Sequence, residues 1–176
     1  DHNMLVMSER ISDHLPKTQK YLPKQRLWYI RANEVLISSG SIERPLVFGN
    51  NDTPGVMLSS AAKEYMKVYG VLVGKKPLIF TNNDSGYETA IEFKKNGVNP
   101  IILDTRSDPS SDIITEAKNL NIEIKFSYVV VAAKGYKKVK SADIAKISDD
   151  KKELFNIENI ECDCICAVSY THLRAH

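Results

Sequence analysis

From Lys76 onward the apolar positions of the chain fall into short, evenly spaced blocks. Pro77–Thr81 is an apolar run, residues 85–96 carry helical spacing and stop at Gly97, and residues 100–104 form the next apolar run. Residues 111–120 make a second helical stretch, and residues 122–126 a third run. Strand, helix, strand, helix, strand at these lengths predicts a βαβαβ unit with parallel strands and right-handed crossovers. Beyond it, residues 128–133 and 136–140 flank Gly135 and predict an antiparallel hairpin, with one further strand over residues 157–167. The fold class is therefore α/β, a Rossmann-like βαβαβ unit with an antiparallel β-meander. Upstream the pattern is looser. Residues 3–10 fit a strand or a short helix, because periodicity alone cannot separate the two. Residues 26–31 have strand composition, and residues 34–38 read as a second, more buried strand running into a turn at Ser39-Gly40. Residues 41–57 are irregular, and a helix over residues 60–69 stops at Gly70.

Composition narrows the class without naming a chemistry. The 176 residues are 43% hydrophobic and 26% charged, which excludes collagen-like, low-complexity and disordered chains. No apolar run approaches the roughly 20 residues of a membrane-spanning helix, so no membrane is implied as a partner. Basic and acidic residues, 24 and 22, are intermixed, so nucleic acid is not implied either. Cys162, Cys164 and Cys166 crowd into one segment instead of forming a spread disulfide framework, which fits a reducing, cytoplasmic compartment. Alternating along a strand, they would share one face as small core side chains. Neighbouring Cα atoms about 6.5–7 Å apart lie at or beyond disulfide reach. Asp1 is not Met, and no signal-peptide pattern follows it. Residues 168–176 break the chain's habits and hold two of the four His. They are expected to be a sequencing adapter translated in frame, and to pack poorly.

The turn after the first strand of the unit is where a dinucleotide would bind. A glycine-rich G-x-G-x-x-G turn lets the backbone approach a pyrophosphate at the helix N-terminus. Here the six residues are Thr81, Asn82, Asn83, Asp84, Ser85 and Gly86, and only the third glycine remains. Thr81 and Asn83 place side chains where the first two glycines leave room. Asp84 adds a carboxylate at a helix end that otherwise attracts phosphate. Ser85 and Glu88 have capping-box spacing, which would use the helix's own first N–H groups. Asp104, ending the second strand, stands where a ribose-binding acid would, although an Asp after a strand is also a common turn or capping residue. Together these residues predict a degenerate nucleotide loop. No catalytic set and no metal set is evident.

Several strings read together resemble one family. Residues 1–3, 26–28, 38–48, 51–58 and 80–87, with the Thr81-Asn-Asn-Asp84 string most specific, are similar to the α subunit of heterotetrameric sarcosine oxidase. The resemblance implies an internal stretch of a two-dinucleotide-binding-domain, FAD/NAD(P)-binding fold. Residues 1–57 would end the first domain and residues 58–159 form the second. Residues 160–167 would be a return strand to the first, ahead of the adapter at 168–176. It implies NAD in the full-length subunit, held mainly by a glycine fingerprint outside this stretch, and FAD and FMN associated with the β subunit and its interface. The partners it implies are the β and smaller subunits and a small-molecule amine. It also places Ser39 and Gly40 near a cofactor; Arg44, beside Pro45, is read from the sequence alone as either a phosphate contact or a salt-bridged loop arginine. The implied activity is oxidation of sarcosine through flavin, with one-carbon transfer to folate. The alternative is a non-catalytic Rossmann-like scaffold of an opine or amine dehydrogenase complex. The altered glycine turn argues against a free-standing pyridine-nucleotide reductase.

Overall fold

A computed structural model describes residues 3–17, 20–36, 38 and 43–170. The chain separates into two compact units, residues 1–40 and residues 41–173. In the first, strands β1 (Met4–Arg10) and β2 (Gln25–Arg31) pair antiparallel from Met4 opposite Arg31 to Arg10 opposite Gln25. The buried strand expected at residues 34–38 does not form over its described residues, and Leu36 is 94% exposed. Strand preference is realised only where a neighbouring strand and a face to cover exist. Trp28 lies on the ribbon surface, donating to Glu9 at 2.8 Å with the Arg26 guanidinium over its ring.

The second unit is built around the predicted βαβαβ core. Strands β5 (Pro77–Thr81), β6 (Ile101–Asp104) and β7 (Glu123–Phe126) pair in parallel, joined by helices α2 (Ser85–Lys95) and α3 (Asp112–Asn119). Period-two alternation sorts the strand side chains. Ile79 and Ile102 pack on the helix side with Tyr87, Ile91 and Ile114, whereas Leu78, Phe80 and Leu103 face Val130, Ala142 and Ile144. That second cluster is covered by an antiparallel sheet of β8 (Tyr128–Lys134), β9 (Ser141–Ile147) and β10 (Leu154–Glu161). Helix α1 (Ser59–Tyr69) joins the helical layer and ends at Gly70, as its sequence predicts. No helix among the described residues is long and apolar enough to cross a membrane.

The structure departs from four sequence expectations in this unit. The hairpin around Gly135 pairs β8 with β9, so residues 136–140 are its turn and not its second strand. Val139 is fully buried and its N–H goes to Pro54 O, which withdraws it from ladder pairing. The segment expected to be irregular, residues 41–57, holds β3 (Glu43–Arg44) and the start of β4 (Val56–Leu58). The single final strand is two, because the chain changes sheets at Cys162 and Asp163. The Asp163 carboxylate accepts the Lys75 and Lys76 N–H groups, and β11 (Cys164–Tyr170) then inserts beside β5 and β4. Val168 pairs with Thr81 and is fully buried, so the core continues through Val168, beyond the expected start of poor packing. Residues 171–176 lie outside the described residues.

Candidate functional site

Thr81 and Asp104 stand at the carboxyl ends of β5 and β6, the end of a doubly wound sheet at which ligands bind. Thr81 ends β5, and its hydroxyl is tied into the turn. It donates to Asn83 O at 2.7 Å and accepts the Asn83 N–H at 3.1 Å. The Asn83 side-chain oxygen accepts both Ser85 N–H at 3.0 Å and Ser85 Oγ–H at 2.5 Å. Asn83, two residues upstream, thus satisfies the first N–H of α2. The expected Ser85/Glu88 capping box is absent: Glu88 pairs instead with Lys63 of α1. Short polar side chains favour this local bonding to nearby backbone over regular structure. Gly86 faces Thr81 so closely that a Cβ there would lie 2.7 Å from the Thr81 Cβ. Its role is the close helix–strand approach expected of the third glycine.

Asp104 is completely buried and fully engaged. It accepts the Tyr87 hydroxyl at 2.7 Å, the Arg106 backbone N–H at 2.9 Å, Arg106 Nε at 3.0 Å and Arg106 Nη2 at 2.7 Å. Arg106 Nη1 reaches back to Asp84 at 2.8 Å, an ion pair without hydrogen-bond alignment. Burial, and then Asp104 as acceptor, hold the Tyr87 phenol far above its usual range. The hydrogen bonds it donates to Asp104 likewise raise the Arg106 guanidinium, which stays charged. A bidentate Arg–carboxylate pair of this kind closes a charge inside the fold.

The set works as a clasp, joining the turn after β5 to the end of β6, and it bears directly on dinucleotide binding. A ribose would find Asp104 with no accessible oxygen, and a pyrophosphate would meet Asp84, Thr81 and Asn83. One helix N–H is already bonded to Asn83. These residues do not fit a dinucleotide. Beyond the clasp a cleft of about 420 Å³ opens after β6 and β7, lined by Thr105, Arg106, Ser107, Asp108, Ser127 and Lys151 among others. Arg106 is already paired with Asp104 beside it, and Asp108 and Asp149 line it together with Lys151.

Arg44 is exposed in β3, opposite Ser169 of β11, whereas Ser39 and Gly40 lie outside the described residues. Cys164 and Cys166 share the helix-facing side with sulfurs 3.6 Å apart as free thiols, but Cys162 faces the antiparallel sheet. The expectation of one common face fails because Cys162 precedes β11, where the chain changes sheets. Burial pushes the Cys162 thiol up to about 12. The Cys164 contact, and then burial, raise Cys166 well above the usual range. These are core side chains held neutral. Sequence reasoning missed Tyr87 and Arg106. The signal for the second was an Arg two residues past a strand-ending Asp; for the first, only the fold brings α2 over β6.

No family model matches the chain. Curated relatives do: sarcosine oxidase subunit alpha of Rhizobium meliloti (strain 1021) is 38% identical over 82% of this chain, and that of Corynebacterium sp. (strain P-1) is 31% identical over 94%. The chain spans 14% and 17% of their respective lengths. Among solved structures, T. acidophilum thioredoxin reductase superposes with a TM-score of 0.60 at 18% identity, covering 83% of this chain and 48% of that one. That likeness is one of fold. It agrees with the α/β, Rossmann-like architecture read from the strand pattern.

Proposed function

We infer, for a chain that belongs to the sarcosine oxidase α-subunit family, that it works within the α subunit of a hetero-oligomeric oxidase acting on sarcosine. It is a stretch of an oxidoreductase subunit, and its βαβαβ unit serves that subunit as a scaffold. The observation carrying the scaffold role is the clasp of Asp104, Arg106 and Asp84, which spends the ribose acid and the phosphate-facing turn on internal contacts. NAD in the full-length subunit belongs, on this reading, to the glycine fingerprint outside this stretch. Flavin, when bound at the β subunit and its interface, supplies the two-electron chemistry. What this chain contributes is a rigid wall: Thr81, Asn83 and Ser85 present a turn whose polar groups are already satisfied by one another.

The complete complex tests the reading. Supplied with sarcosine and oxygen, it is expected to release glycine, formaldehyde and hydrogen peroxide in equal amounts when folate is absent. Turnover of an opine or another secondary amine with an artificial acceptor, and none of sarcosine, would favour the dehydrogenase-scaffold alternative.

A further inference from the structure

The turn between β8 and β9 concentrates unpaired charge. Residues 134–140 hold four Lys and no acid. Lys134 pairs with Asp143 at 2.9 Å, while Lys137, Lys138 and Lys140 are exposed and lack an ion-pair partner among the described residues. Tyr136, beside them, is 94% exposed. The backbone beneath is braced. Val139 is fully buried and donates to Pro54 O at 2.8 Å, and Lys140 N–H closes on Lys134 O at 2.8 Å. Gly135 has φ 152°, and a Cβ there would lie 1.9 Å from Lys138 O.

Most lysine runs are flexible, solvated faces, and ordering them on binding costs entropy. This one is carried on a backbone that is already ordered, and it presents an aromatic ring of a type enriched at protein interfaces. Three cations on one tip call for carboxylates on the occupant. Elsewhere the chain's charges are intermixed, so no basic stripe extends the tip into a track for a nucleic acid backbone. We propose that the turn bearing Tyr136, Lys137 and Lys138 docks onto an acidic surface of another subunit of the oxidase complex. This rests on the reading of the chain as part of an α subunit.

The test is dissociation of the intact, co-expressed complex, followed by sedimentation at increasing NaCl. Wild type is expected to loosen as salt rises, because the contact is charge-steered. The double variant Lys137→Glu/Lys138→Glu should raise the dissociation constant roughly tenfold or more at low salt and flatten its salt dependence. Tyr136→Ala should weaken assembly without changing the salt slope, and Lys137→Arg/Lys138→Arg should assemble as wild type does. An unaltered dissociation constant and salt slope in the charge-reversed variant would overturn the docking role. So would a defect confined to binding of a nucleic acid or a membrane vesicle. A wild-type subunit that recovers no second polypeptide contradicts the subunit reading itself, and that outcome is visible before any variant is made.

Discussion

Replacing Arg106 with leucine is expected to destabilise the chain by about 3–5 kcal/mol, the cost of stranding a buried carboxylate without its counter-ion. Asp104 is completely buried, and its two oxygens are served by Arg106 Nε, Nη2 and backbone N–H and by the Tyr87 hydroxyl. Leucine removes both guanidinium contacts and leaves one amide and one phenol for a full negative charge. The other arm of the clasp matters far less. Asp84 is about half exposed and its pair with Arg106 is off-axis, so Asp84→Asn should cost under about 1 kcal/mol. Adding Asp104→Asn to the leucine variant removes the stranded charge and should restore more than half of the loss. Urea unfolding of the three variants checks the order. An Arg106→Leu chain as stable as wild type would mean that Asp104 is not closed off as described.

The second large effect is expected at Gly86. An alanine there puts its Cβ 2.7 Å from Thr81 Cβ and 2.8 Å from Thr81 Oγ1. Thr81 has no room to yield, since it is fully buried in β5 and its hydroxyl is held from both sides by Asn83. Overpacking of this kind costs about 1–3 kcal/mol. Gly86→Ala should lie in that range and shift α2 away from β5. Coupling identifies the cause: with Thr81→Gly in the same chain, the combined loss should be smaller than the sum of the two single losses, because the clash is gone. Strict additivity in thermal or urea unfolding would point away from the helix–strand contact.

The parts of the fold that were legible are those where one local rule decides. Pro77–Thr81 is an uninterrupted apolar run between turn residues and is buried at every position, so strand was the only fit. Gly70 and Gly97 follow the last periodic residues of α1 and α2, and both helices stop there. What was not legible depends on distant partners. Residues 34–38 have strand composition, but their described residues meet no neighbouring strand. Residues 136–140 follow Gly135 as the return arm of a hairpin would, yet the Val139 N–H is taken by Pro54 O, 85 positions earlier, and the ladder resumes only at Ser141. At the site, the loss of two glycines was plain in the sequence. The replacement of the expected capping box was not, because Ser85 and Glu88 have the right spacing and only the fold offers Lys63 to Glu88 and Asn83 to Ser85. The clasp required Asp104 and Asp84, both visible as candidates, to be joined by an Arg whose direction no spacing specifies.

The central claim is that the turn from Thr81 to Gly86 is closed to a dinucleotide. It is tested most directly by a structure of the complete α subunit with NAD bound. The expected result is pyrophosphate density at a glycine fingerprint elsewhere in the subunit, with the Asp104–Arg106–Asp84 contacts intact. Pyrophosphate density over Ser85 and Gly86, with Arg106 displaced from Asp104, would contradict it.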